Sequence, residues 1–225
     1  MSIFAIADLH LSFNNNKPMD IFGDEWKEHE KKIEQDWKEK VKDEDVVLIP
    51  GDFSWETYLQ DVYKDFEFLN NLPGKKILLK GNHDYWWTTL TNMRKFLKEN
   101  NFNTIDFLYN NSYCYDNYII VGTRGWSPME EGDTPKMIKR ELGRLELSFK
   151  DGIKKYGEDK EFIVCMHYPP MKEFFEVMRK YNVKLCLYGH LHGALQQDVN
   201  EGIIDGVNLK MVSSDYLKFK LEKII

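Results

Sequence analysis

The distribution of histidine constrains this chain more than any other feature. It has six histidines, and five of them (His10, His83, His167, His190 and His192) stand just beyond short apolar runs. Each of the five has Asp, Asn, Gly or Pro within two residues. Only His29 departs from the pattern. Structural histidines occur wherever their ring nitrogens find partners, so a structural role accounts for one or two such positions and not for five. The chain must therefore fold so that the ends of several strands meet. Open α/β sheets do this with the loops at their carboxyl edge, where they carry their chemistry.

The apolar runs follow one another with helical sequence between them. Ser2 to Ala7 ends in Asp8-Leu9-His10, and Val46 to Ile49 ends in Pro50-Gly51-Asp52. Lys76 to Leu79 leads into Lys80-Gly81-Asn82-His83-Asp84. Glu161 to Met166 leads into His167-Tyr168-Pro169-Pro170, and Lys184 to Tyr188 into Gly189-His190-Leu191-His192. In an extended segment residues two apart share a side, so Asp8 and His10 are expected to converge with Leu9 turned into the core.

Helical spacing is expected for Phe22, Trp26, Ile33, Trp37 and Val41, with His29 packed beside the tryptophans. It is expected again over Trp55 to Leu72, Thr88 to Asn100, Pro135 to Tyr156 with Thr134 as N-cap, and Phe174 to Lys180. Asn14-Asn15-Asn16-Lys17-Pro18 reads as a loop. Strands alternating with helices predict an α/β protein with a partly parallel sheet. Asp116-Asn117 predicts a hairpin between Ser112–Tyr115 and Tyr118–Gly122, which delivers Arg124. Val207 to Val212 and Tyr216 to Leu221 alternate and predict terminal antiparallel strands. No linker or repeat interrupts the chain, so a single domain over residues 1–225 is expected.

Charge and cysteine content narrow the function. The net charge is −6 and no Lys/Arg cluster stands out, which argues against broad binding of nucleic acid or anionic membranes. A metal site can still hold an anionic substrate in an acidic protein, because the ions supply the local positive charge. The three cysteines show no Cys-x-x-Cys spacing, which excludes a Cys-rich zinc site. Their odd number fits a reducing compartment. There is no basic leader before Asp8 and no apolar stretch long enough to span a bilayer, so a cytoplasmic protein is expected. Imidazoles, carboxylates and an amide without thiolates suit Mn, Fe or Zn. The donors outnumber what one tetrahedral ion can use, which implies two ions joined by a shared carboxylate.

Taken together, Asp8-x-His10, Gly51-Asp52, Gly81-Asn82-His83-Asp84, His167 and Gly189-His190-x-His192 resemble the signature of the calcineurin-like metallophosphoesterases. Each motif alone is weak, but five in order, from residue 8 to residue 192, are specific. The resemblance implies a four-layer α-β-β-α sandwich of two mixed β-sheets flanked by helices. It implies two divalent metal ions, with manganese preferred. Asp8, His10 and His192 would bind the first, Asn82, His167 and His190 the second, and Asp52 both. His83 would meet the leaving oxygen, and Asp84 would orient the His83 ring.

The implied activity is hydrolysis of a small phosphate monoester or diester by a metal-bridging hydroxide. A nuclease, a nucleotide–lipid pyrophosphatase and a catalytically silent scaffold are the alternatives within this fold. Arg124 is read either as a phosphate ligand or as a surface ion pair. Tyr85, Trp86 and Trp87 are read either as a stacking surface for substrate or as packing between loop and helix.

Overall fold

A computed structural model describes residues 1–15, 17–132, 134–193 and 199–225. Asn16, at the centre of the predicted asparagine loop, lies outside the described residues.

Four parallel strands form the first sheet: β1 (Ile3–Ala5), β2 (Val46–Pro50), β3 (Lys75–Leu79) and β4 (Ile105–Leu108). The second sheet begins with the predicted hairpin, β5 (Tyr113–Tyr115) and β6 (Tyr118–Thr123), paired antiparallel. Parallel to β6 run β7 (Glu161–Met166), β8 (Val183–Tyr188) and, beyond a short antiparallel β9 (Gly202–Ile204), β10 (Val207–Met211). The spatial order is β5-β6-β7-β8-β10-β9. The last strand, β11 (Glu222–Lys223), returns to the first sheet as an antiparallel edge beside β1. The two sheets meet where Ala7 bridges Ser213, with Ala7 N–H donating to Val212 and Ser214 N–H to Ala7.

The strands are apolar runs because both of their faces are covered. Ala5, Leu48, Ile77, Leu79, Ile163 and Leu187 fill the space between the sheets. On the outer face of the first sheet, Ile33 and Trp37 of α1 (His29–Lys40), Phe66 and Leu69 of α2 (Tyr63–Asn71), and Met93 and Leu97 of α3 (Leu90–Glu99) form a second core. Leu145 and Phe149 of α4 (Thr134–Tyr156) and Phe174 of α5 (Lys172–Met178) form a third against the other sheet. The layers run α-β-β-α, as the resemblance implied. The three cysteines are free, and Cys165 and Cys186 are buried. Among the described residues no helix is long and apolar enough to cross a membrane.

The chain departs from its sequence pattern in four places. The stripe from Phe22 is not one helix: 3₁₀ turns hold Met19–Phe22 and Asp24–Trp26, and Glu28 in the left-handed region (φ 52°) starts α1 afresh. Helix over Trp55–Leu72 is confined to a 3₁₀ turn at Leu59–Val62 and to α2, because the backbone at Trp55 instead bonds to Leu11. Strand β4 was not anticipated. Tyr216–Leu221 is a turn with Lys218 and Phe219 at positive φ, and only Glu222–Lys223 pairs; β10 is parallel to β8 and antiparallel only to β9.

Candidate metal centre

Parallel strands of each sheet end on the same side, and this brings the polar loops together. The loop after β1 carries Asp8 and His10, that after β2 Asp52, and that after β3 Asn82 and His83. From the second sheet, β7 delivers His167 and β8 delivers His190 and His192. Asp8 (φ 59°), His10 (φ 46°), Asp52 (φ 52°) and His190 (φ 74°) all sit in the left-handed region. Such backbone is uncommon outside glycine and clusters at functional sites. The chain from Asp8 to Leu11 still runs alongside the loop after β2, with the N–H groups of Asp8, His10 and Leu11 donating to Gly51, Asp52 and Phe53, but Asp8 and His10 converge on left-handed backbone and not by extended alternation. Leu9 is buried, as expected.

The loops approach so closely that two glycines have no room for a side chain. A Cβ on Gly81 would lie 2.0 Å from Asp52 Oδ1. Gly51 has φ 96°, and a Cβ there would lie 2.5 Å from His167 Nδ1.

The donor atoms form two adjoining groups. In the first, His10 Nε2 is 3.0 Å from His192 Nε2, which is 3.8 Å from Asp8 Oδ1. In the second, Asn82 Oδ1 is 2.6 Å from His167 Nε2 and 3.1 Å from His190 Nδ1. Asp52 lies between them. Its Oδ1 accepts the His83 N–H at 2.8 Å, while the buried Oδ2 has no hydrogen bond among the described residues. That oxygen is 3.4 Å from His167 Nε2 and 3.8 Å from His10 Nε2. The structure thus brings the seven side chains together, with Asp52 between the groups and Asp8 near both, its Oδ1 being 3.8 Å from His192 Nε2 and 3.8 Å from His167 Nδ1.

This donor set fits a pair of divalent cations. Ligand atoms about 2.1 Å from a common ion stand roughly 3 Å apart, close to the spacings within both groups. His167 Nδ1 faces the Pro50 carbonyl at 3.0 Å, which keeps that nitrogen a donor and leaves Nε2 directed at Asn82 and Asp52. Electrostatics point the same way. Burial works against charge on Asp52, but His167, then His10 and His83, hold its pKa well below the usual carboxylate range. His167 also opposes its own burial, and Asp52 pushes its pKa up to about 9. Burial raises Asp8 to about 6 and lowers His190 to about 4, His167 adding to the latter. Without cations, the buried carboxylates are balanced by a proton held on His167, and a bound cation would replace that positive charge.

His83 is set apart from both groups. Its ring lies 4.4 Å from Trp55 and 5.7 Å from His10, and its buried Nδ1 has no partner among the described residues. Asp84 does not orient that ring. Its carboxylate accepts the N–H groups of Gly81, Asp52, Phe53 and Ser54 and the Trp86 indole N–H. Trp86 is only 1% exposed and belongs to the core, which removes it from the substrate surface. Tyr85 is 63% exposed beside His83. His29 packs against Trp26, ring to ring at 5.3 Å, with its Nε2 2.9 Å from the Leu9 carbonyl and its Nδ1 3.2 Å from that of Trp26. Arg124 makes no surface ion pair among the described residues and stacks on Trp126, 4.9 Å away.

Sequence reading missed Asp215. Its Oδ1 is 3.3 Å from His192 Nδ1, and its Oδ2 accepts the Gly193 N–H at 2.7 Å. It lies 23 residues beyond His192, and the only signal was a carboxylate just past an apolar run. A carboxylate behind a ligating imidazole fixes the ring, and its loss typically costs 10–100-fold in metal affinity. Asp215→Ala is expected to weaken retention of the ion on His192 by about that factor. Metal content after dialysis against graded chelator measures it, and wild-type retention would leave Asp215 only a loop contact.

A two-sheet sandwich with this donor cluster at its carboxyl edge is the architecture of the metal-dependent phosphoesterases. The chain belongs to the calcineurin-like phosphoesterase family, whose sequence profile matches residues 1–194. The fold is similar to that of AQ665, a protein of unknown function from Aquifex aeolicus, at 19% identity. That match covers 99% of this chain and 95% of the other, with a TM-score of 0.54. It is also similar to TT1561 of Thermus thermophilus, at 14% identity over 99% and 97% of the two chains, with a TM-score of 0.54. No curated protein matches the sequence.

Proposed function

We propose that the protein is a metal-dependent phosphohydrolase that cleaves a small phosphate monoester or diester. The observation that carries this reading is the clustering of seven donor side chains with Asp52 Oδ2 among them, a buried oxygen 3.4 Å from His167 Nε2 and 3.8 Å from His10 Nε2 that has no hydrogen bond among the described residues. Asp8, His10 and His192 would hold one ion, and Asn82, His167 and His190 the other. Manganese, iron and zinc all suit these donors. Two divalent cations here supply, when bound, positive charge that polarises phosphoryl oxygens and acidifies water. The protein's own part is orientation. Asp52 takes the junction with Oδ2 while its Oδ1 anchors the His83 backbone, so cation site and His83 stay in fixed register. Trp55 backs the His83 ring, which presents a nitrogen to the leaving oxygen of a bound ester and hydrogen-bonds or protonates it there. The net charge of −6 favours a small ester over a polynucleotide.

Purified protein with Mn²⁺ is expected to hydrolyse p-nitrophenyl phosphate or bis-p-nitrophenyl phosphate. His83→Ala is expected to keep its ions and lose about 10²–10³-fold in kcat. Metal analysis and initial rates on one preparation measure both. Absence of turnover on any ester by the metal-loaded wild type would replace the enzyme with a scaffold. Loss of metal in His83→Ala would make His83 a ligand.

A further inference from the structure

Beside the donor cluster lies a cavity of about 220 Å³, below the roughly 300–1,000 Å³ that encloses a whole drug-sized ligand. It has ample room for a phosphate group. Its wall is cationic: Lys80, Arg124, Arg140 and Arg144 line it, and Glu141 is its acidic counterpart. Glu141 is fully buried and already engaged, with Thr123 Oγ1 at 2.6 Å, Arg144 at 2.6 Å and Arg140 at 3.2 Å. One carboxylate therefore answers two of four cations. Among the described residues Lys80 makes no hydrogen bond or ion pair, and the Arg124 Nε is buried without a partner. Trp87, also on the wall and mostly buried, has an indole N–H with no acceptor among the described residues. Uncompensated cations and an unmet donor around a space that admits a phosphate are the complement of that group.

The cavity is coupled to the centre through the backbone. Lys80 precedes Gly81 and Asn82 directly. The Arg124 carbonyl accepts the N–H groups of His167 at 3.2 Å and Tyr168 at 3.0 Å, and the Tyr168 ring is 4.4 Å from that of His190. A ligand in the cavity is thus placed close to the loops that carry two of the candidate metal ligands.

We infer that this cavity binds a second phosphate group of the substrate, so that the preferred ester carries two phosphates, one cleaved at the donor cluster and one held by Lys80 and the α4 arginines. The inference rests on the phosphohydrolase reading for the first phosphate only.

The test uses 1,n-alkanediol bisphosphates of graded chain length against the matching monophosphates, with the Mn²⁺-loaded full chain. At the length that spans the two places, the bisphosphate is expected to have a kcat/KM about tenfold or more above the monophosphate, as a charge-assisted contact gives. Lys80→Gln and Arg140→Gln, on different elements, should each remove most of that preference. A readout free of turnover is calorimetric titration of the full chain with inorganic phosphate in EDTA. Wild type is expected to bind phosphate saturably and both variants about tenfold more weakly. No preferred length, or a preference that both variants keep, overturns the inference, as does absence of phosphate binding in EDTA. If no ester is hydrolysed but EDTA-resistant phosphate binding is lost in the variants, the cavity stands and the phosphohydrolase reading falls.

Discussion

Asp52→Ala is expected to lose both metal ions and at least about 10³-fold in turnover, the rate equivalent of several kcal/mol. The reason is position. Asp52 Oδ2 is close to ring nitrogens of both groups, 3.8 Å from His10 Nε2 and 3.4 Å from His167 Nε2, and unlike Asp8 Oδ1, which lies 3.8 Å from His192 Nε2 and from His167 Nδ1 and accepts the His190 N–H, it has no hydrogen bond among the described residues. Alanine removes the shared ligand and releases the His83 N–H from Oδ1. It also leaves the buried His167 without its principal charge partner. If Asp52 were only the counter-ion of His167, alanine would destabilise the fold by about 3–5 kcal/mol, as for any broken buried pair, and leave metal content unchanged. Metal analysis by mass spectrometry beside a thermal melt separates the two. Two ions still bound in Asp52→Ala would remove it from the centre.

The parts legible in the sequence were those written in contiguous residues. A buried parallel strand is an apolar run, and the residue beyond it faces the carboxyl edge, so the loops carrying Asp8, Asp52, Asn82, His167 and His190 could be placed from order alone. What escaped depends on pairings made across the fold. Strand β4 is four residues with Asp106 among them, too short for its pattern to outweigh its charge. Tyr216–Leu221 alternates like a strand, but Lys218 and Phe219 at positive φ turn it, so that the Asp36 carboxylate can accept the Leu221 N–H at 2.7 Å. Asp215 and Asp84 carry no mark of their targets, because each carboxylate bonds to loops distant in sequence or to a ring placed by another strand. Trp86 illustrates the same limit: aromatic residues beside a site look alike whether they face substrate or, as here, close the core beneath it.

Asp84→Ala is expected to lower stability by about 4 kcal/mol or more and to scatter the metal site, even though Asp84 works through backbone groups and an indole. Its two oxygens gather four backbone N–H groups, from Gly81 at 2.7 Å and from Asp52, Phe53 and Ser54 at 3.0–3.2 Å, and the Trp86 indole N–H at 3.0 Å. These donors come from the loops after β2 and β3, which have no continuous strand pairing at that point. The carboxylate replaces the sheet ladder where the sheet ends. Burial, then repulsion from Asp52, raise its pKa to about 6, so it remains ionised at pH 7. Alanine would leave several buried donors unmet at about 1–3 kcal/mol each, a large fraction of the 5–15 kcal/mol that holds a domain. The melting temperature should fall by about 10 °C, at 2–4 °C per kcal/mol for a chain of this length. Asp84→Asn keeps the shape but turns an amide N–H₂ toward backbone N–H groups, and an intermediate loss of roughly 2 kcal/mol is expected. His83→Ala removes a ring from the same loop and should leave the melting temperature near wild type. This contrast distinguishes a brace from an orienting carboxylate. An Asp84→Asn variant with wild-type melting and two ions, but with the turnover of His83→Ala, would mean that Asp84 acts through His83 after all.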